Sequence, residues 1–157
     1  MKVVLLVIGK TDAHYLIDAV NEYEKRLQHY FPFQLQVIPD IKNAKSLSQE
    51  QQKEKEGELI LKQLQPGDFL VLLDEKGKEF SSLQFSSYLE KKMSVVSKRL
   101  VFVIGGPYGF SEKVYTIAPE RISLSKMTFS HQMIRLFFTE QLYRAMTILH
   151  HEPYHHE

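Results

Sequence analysis

Cysteine is absent from this chain of 157 residues. That excludes a disulfide framework and a thiolate metal site, and it suits a cytoplasmic protein. Long apolar runs are missing as well: nothing approaches the roughly 18 uninterrupted apolar residues of a membrane span, so no membrane partner is expected. The opening MKVVLLVIGK is too short for a secretory leader and lacks a small-residue cleavage site, and it reads as a first strand. Neither sign of charge dominates, with 20 basic against 19 acidic residues and a net charge of +1. Global charge therefore gives no pull toward nucleic acid; DNA is not an expected partner, and RNA binding has to come from local patches. No G-x-G-x-x-G, G-x-x-x-x-G-K-[ST] or G-x-S-x-G occurs. Their absence disfavours a dinucleotide fold, a P-loop and a serine hydrolase.

What is present has globular proportions, 43% apolar and 25% charged residues, with no internal repeat or linker. One domain over residues 1–157 is expected. Val3 to Ile8 is an apolar strand, followed by a helical stripe in Leu16, Ala19, Val20, Tyr23 and Leu27. Phe33 to Ile38 alternates and stops at Pro39, as an edge strand does. Lys42 to Glu58 is dense in Lys, Glu and Gln and reads as a solvated or mobile segment with an exposed face and no special role. Phe69 to Leu73 is a third strand, Asp74 to Lys78 a charged turn, and Ser81 begins another helix. Strands alternating with helices argue for an α/β fold with a mostly parallel sheet and helices on both faces.

The stretch Lys98 to Gly109, KRLVFVIGGPYG, organises the rest. Leu100 to Ile104 reads as a central strand covered on both faces, and it runs into a glycine loop. Gly105, Gly106 and Gly109 leave backbone amides open and permit a ligand to approach closely. In open α/β sheets ligands bind at the carboxyl ends of strands, so this loop is the expected site; a plain strand-to-helix turn is the alternative. A short helix from about Ser111 to Ala118, a strand from Arg121 to Leu124 and a polar loop follow. In the last helix, Met133 to Leu149, eleven of seventeen residues are apolar or aromatic, more than one core-facing stripe needs. A second copy of the chain is the economical cover for the surplus. Arg135 falls near the middle of the broad apolar face, where it reads either as one half of an ion pair across a subunit interface or as a contact to an anionic ligand.

The motifs VIGGPYG (Val103 to Gly109), LSKMTFSHQMIR (Leu124 to Arg135), EQLYRA (Glu140 to Ala145) and the terminal PYHHE resemble the SPOUT superfamily of trefoil-knotted methyltransferases. EYEKRL (Glu22 to Leu27), KEGELIL (Lys55 to Leu61) and VLLDEKGK (Val71 to Lys78) extend the resemblance over nearly the whole chain. Within that superfamily it is similar to the branch that methylates N3 of a pseudouridine in large-subunit ribosomal RNA. The resemblance implies a homodimer, a knotted carboxyl-terminal half and S-adenosyl-L-methionine as cofactor. Carried over by motif, the cofactor-binding positions are Leu73, Gly105, Gly106, Leu124, Ser125, Lys126, Met127, Thr128 and Phe129. Pseudouridine N3 bears a proton that must be removed, and the tail offers His155 to accept or guide it, Tyr154 to stack on a splayed base, and Arg135 as a further candidate.

His150, His151, His155 and His156 cluster in the tail, but Pro153 and Tyr154 interrupt them, and no metal is expected. The chain departs from the family pattern at His156, where a basic residue is usual, and at Ser130, a helix N-cap in place of a proline. The expected partner is large-subunit ribosomal RNA, best met on the assembled ribosome, whose ready-made surface suits so small and weakly charged a chain. A SPOUT enzyme acting on another rRNA or tRNA base, or a non-catalytic ribosome-assembly module, is the alternative.

Overall fold

Alternation within three apolar runs sets the layers of the molecule. In the computed structural model, which describes residues 1–156, the elements are β1 (Lys2–Ile8), α1 (His14–Leu27), β2 (Phe33–Ile38), α2 (Gln49–Gln63), β3 (Asp68–Glu79), α3 (Ser82–Val95), β4 (Arg99–Ile104), α4 (Glu112–Ile117), β5 (Glu120–Ser123) and α5 (Met133–Leu149). Glu157, the last position of the expected domain, lies outside the described residues. The strands form one five-stranded sheet in the order β2-β1-β4-β3-β5, with every pairing parallel. β4 is thus the central strand and β2 an edge, as the sequence predicts.

Odd and even positions of the strands feed two separate cores. Val3, Leu5 and Val7 with Leu100, Phe102 and Ile104 pack under Leu27 of α1, Phe85 and Leu89 of α3, and Phe138 and Leu142 of α5. Val4, Leu6 and Ile8 with Val101 and Val103 pack under Ile60 of α2 and Val114 of α4. Each such side chain contributes about 1.5–3 kcal/mol by leaving water, which is why the period-2 strands need a helical layer on both faces. The polar starts of α2 and α3 are built alike. Ser48 and Ser81 each close a capping box with the glutamine three residues on, a feature of about 1 kcal/mol that fixes where those helices begin.

Two expectations are corrected. The charged residues Asp74 to Lys78 do not form a turn, because β3 continues to Glu79 with a register break between Leu73 and Lys78. Past the break, Lys78 and Glu79 pair again with Ile122 and Ser123 of β5, and Gly77 lies so close that a Cβ there would sit 2.6 Å from the backbone of Ile122. Hydrophobicity does not report such a strand, since its hydrogen bonds come from the neighbour rather than from burial. The segment Lys42 to Glu58 is not uniformly solvated either: it enters α2, where Glu56 and Gly57 are buried.

α5 packs against both α1 and α3, which uses part of the apolar surplus of its sequence. Phe137 still has 40% of its surface exposed. Seventeen residues at about 1.5 Å each make this helix roughly 25 Å long, so its two ends serve different neighbourhoods.

Candidate active site

The carboxyl ends of β4 and β5 and the register break of β3 converge on a cavity of about 510 Å³, within the range of small-molecule sites. Leu73 at that break, Ile104 at the end of β4 and Ile122 near the end of β5 line it together with two loops. One is the glycine loop, Gly105 to Phe110; the other runs from Leu124 and leads to His131 and Ile134 at the start of α5. Of the nine expected cofactor positions, Leu73, Gly105, Gly106, Leu124, Ser125, Met127, Thr128 and Phe129 line this cavity. Lys126 does not; it is exposed on the same loop.

Short-range polar contacts hold both loops in shape. Gly109 N–H donates to Gly106 O at 3.2 Å and closes the glycine turn. Ser123 Oγ donates to Ser125 O at 2.8 Å, and Ser125 Oγ accepts from Met127 N–H at 3.0 Å. Thr128 Oγ1 donates to Glu75 Oε2 at 3.4 Å, tying the second loop to β3. At the rim, Tyr115 of α4 donates its hydroxyl hydrogen to Asp74. Burial first, and then this bond, push the Tyr115 phenol up to about 12, so it remains a donor at neutral pH.

Asp74, Tyr108, Tyr115 and His131 all line the cavity and were not among the sequence-predicted positions. A signal existed for Asp74 alone. It follows the last apolar residue of a strand that lies beside the one carrying the glycine loop. Gly106 also has a different neighbour from the one expected. A Cβ on it would lie 2.5 Å from both carboxyl oxygens of Glu56, on α2.

Arg135 is fully buried at the first turn of α5. Its Nε donates to His131 O at 3.0 Å, one terminal nitrogen to Thr11 Oγ1 at 3.1 Å and the other to Ile8 O at 2.9 Å. Burial lowers its pKa from the usual arginine value, with Asp12 and Asp40 acting the other way. Among the described residues it has no carboxylate at ion-pair distance, and it does not line the cavity; it fastens the end of β1 to α5. Ser130 caps the same turn, its Oγ accepting from Met133 N–H at 3.0 Å.

The tail folds back along α5 and docks beside its middle. Tyr154 donates to Glu140 Oε1 at 2.9 Å, meets the Tyr23 hydroxyl at 3.1 Å and packs edge-on against Tyr143. Arg144 donates to Glu140 at 2.6 Å and to His155 Nδ1 at 3.0 Å. A guanidinium only donates, so Nδ1 is the acceptor and the neutral ring carries its hydrogen on Nε2. The three candidate catalytic side chains are therefore not together: Arg135 stands in the first turn of α5, and the tail folds back so that Tyr154 and His155 lie against Glu140 and Arg144, roughly 7–14 Å further along the helix axis.

Comparison with known proteins gives the family. The model of the family described as "Predicted SPOUT methyltransferase" matches residues 1–155, and the chain belongs to that family. It is 76% identical to the ribosomal RNA large subunit methyltransferase H of Parabacteroides distasonis, with 100% of each chain covered. It is 66% identical, again with 100% of both covered, to the protein of the same name from Bacteroides thetaiotaomicron. A solved probable methylase family protein from Haemophilus influenzae Rd KW20 superposes with a TM-score of 0.50 at 11% identity, covering 95% of this chain and 66% of that one. That likeness is one of fold.

Proposed function

We propose that this protein uses S-adenosylmethionine to methylate large-subunit ribosomal RNA at N3 of a pseudouridine, acting in the cytoplasm on the assembled ribosome as a knotted homodimer of single-domain chains. The observation that carries the reading is the cavity at the ends of two parallel strands and the register break of a third, with apolar residues on its floor and open backbone on two of its walls. Such a site suits an adenine with polar edges and apolar faces. Full-length identity to relatives named for large-subunit rRNA methylation supports the substrate class. The approach of Gly77 to the β5 backbone supports a chain crossing of the knotted kind.

S-adenosylmethionine bound here would supply an electrophilic methyl group. The chain supplies position: Gly105, Gly106 and residues 124–129 hold the adenine through backbone groups, and Leu73, Leu124 and Phe129 cover its faces. Rate then comes from aligning N3 with the methyl carbon. Tyr154 stacks on the splayed base, and His155 guides or accepts the N3 proton. With Arg144 on Nδ1, the ring meets the base through Nε2–H; accepting a proton requires Arg144 to let go. Because Tyr154 and His155 are held against Glu140 and Arg144 and do not line the cavity of their own chain, they serve the cavity of a second copy. Phe129 and Phe137, in ring contact at 5.2 Å and both partly exposed beside the cavity, give that copy an apolar footing. Arg135 then acts by positioning.

Mass spectrometry of ribosomal RNA from a deletion strain tests the assignment. One large-subunit pseudouridine is expected to lose its methyl group and to regain it on complementation. An unchanged methylation map overturns the substrate assignment.

A further inference from the structure

Helix α2 carries a buried carboxylate on what its composition marks as a solvated segment. Glu56 is 4% exposed, and among the described residues no lysine, arginine or histidine stands at ion-pair distance from it. Its Oε2 accepts from Gln52 Nε2 at 3.2 Å, whereas Oε1 is buried without a hydrogen-bond partner. Burying a carboxylate unpaired is unfavourable enough that such a group needs a reason to be there.

The glycine loop gives one. Glu56 lies behind it, on the side away from the substituent-free backbone that faces the cavity, and fills the space a Cβ on Gly106 would take, 2.5 Å from both its oxygens. The next residue, Gly57, is fitted just as closely to Ser111, which starts α4 on the other side of the loop. Two consecutive residues of α2 thus grip the segment 105–111 from beneath.

We propose that Glu56 is a positioning residue for the cofactor cavity: its carboxyl, seated in the space Gly106 leaves, holds the glycine loop in the form that presents its backbone to the cofactor. This rests on the cofactor assignment made above.

The surroundings favour the neutral form of the pin. Gln52 faces it from its own helix, the backbone of Gly106 from the loop, and α4 meets this part of α2 through Ser111 and Val114. The charged group acting on it is Asp40, just past β2, which is itself acidic. Burial, chiefly, and Asp40 push the Glu56 carboxyl above the usual range, against the Gln52 bond. For a raised carboxyl, the stabilisation of the seated loop is complete below the ordinary carboxylate pKa. It is lost as pH rises from there through the raised value. Neutral Glu56→Gln removes that dependence.

The test uses the full chain and two readouts: hydrogen–deuterium exchange of the 105–109 amides without cofactor, and calorimetric affinity for S-adenosylhomocysteine. Glu56→Ala is expected to speed loop exchange and weaken binding about tenfold, raising KM for the cofactor with kcat unchanged. Glu56→Gln is expected to keep both properties, with an affinity flat in pH where that of the parent protein declines. Gly106→Ala is expected to bind poorly and Gly106→Ala/Glu56→Ala to recover, since removing the carboxyl makes room for the new methyl. Parental exchange and affinity in a folded Glu56→Ala protein, or a double variant no better than Gly106→Ala, overturns the proposal. Where Glu56→Ala does not fold, the pH comparison with Glu56→Gln decides. If the parent protein itself fails to bind S-adenosylhomocysteine, the cofactor assignment falls, and loop exchange alone decides the role of Glu56.

Discussion

Replacing Arg135 by methionine separates a structural fastener from a ligand contact. The substitution keeps the apolar stem and removes the donor fork that reaches His131 O, Thr11 Oγ1 and Ile8 O. The buried Ile8 carbonyl and the partly buried His131 carbonyl are then left with fewer partners, at about 1–3 kcal/mol for the first and less for the second. Against this, the variant no longer buries a cation that lacks a carboxylate partner, which returns part of the loss. The net expectation is a loss of about 2–4 kcal/mol out of the 5–15 typical of a domain. At roughly 2–4 °C per kcal/mol for a chain of this size, melting falls by about 5–15 °C. Arg135→Lys recovers only part of this, because an ammonium cannot serve three acceptors spread around a planar fork. Exchange should rise only locally, in residues 9–11, since Gln132 continues to hold Asp12 N–H at 3.0 Å and Lys10 O at 3.2 Å. Thermal unfolding by circular dichroism, with exchange mapped by mass spectrometry, reads both effects. A variant that melts within about 2 °C of the parent protein yet cannot methylate refutes the reasoning, and Arg135 becomes a ligand contact.

Gly77→Ala is expected to lower stability by at least about 2 kcal/mol, seen as a lower urea midpoint, because the new methyl meets the backbone of Arg121 and Ile122 rather than a side chain that can turn away. An unchanged midpoint would mean that the two strands separate at no expense. On the proposed dimer with its tail acting in trans, a chain truncated before Pro153 and a Gly106→Val chain should each be inactive alone. Together, in mixed dimers verified by differential tags, they should regain one working site; dimers as dead as their parents exclude action of the tail in trans.

The fold was legible wherever burial alone shapes the chain. β1 and β4 are apolar at nearly every position because both faces are covered, and the central place of β4 follows from that. What escaped was structure held by a neighbour. Residues 74–79 are five charged residues and one glycine, Asp74, Glu75, Lys76, Gly77, Lys78 and Glu79, and look like a turn until β5 is seen to pair with them. Pairing of that kind is a property of two segments far apart in sequence, and no window of either one contains it.

The site divides in the same way. The glycine loop was found because it is a feature of the chain itself, whereas Leu73 and residues 124–129 came from the family resemblance. The reasons behind those positions came from neither. Gly106 looks like a glycine that makes room for a ligand, yet the space beside its Cα is taken by Glu56, fifty residues earlier in a stretch whose composition is that of a solvated helix. Arg135, set in an apolar stripe, looks like a residue in want of an anion, yet its partners are neutral oxygens, two around the end of β1 and one at the start of α5. In both cases a charged side chain is satisfied, or left unsatisfied, by backbone that only the assembled fold supplies. Sequence pattern therefore points to where such residues sit more readily than to what they touch, and the glycine loop shows why the difference matters: a substitution at Gly106 that abolishes binding does not by itself say whether the cofactor or Glu56 was displaced.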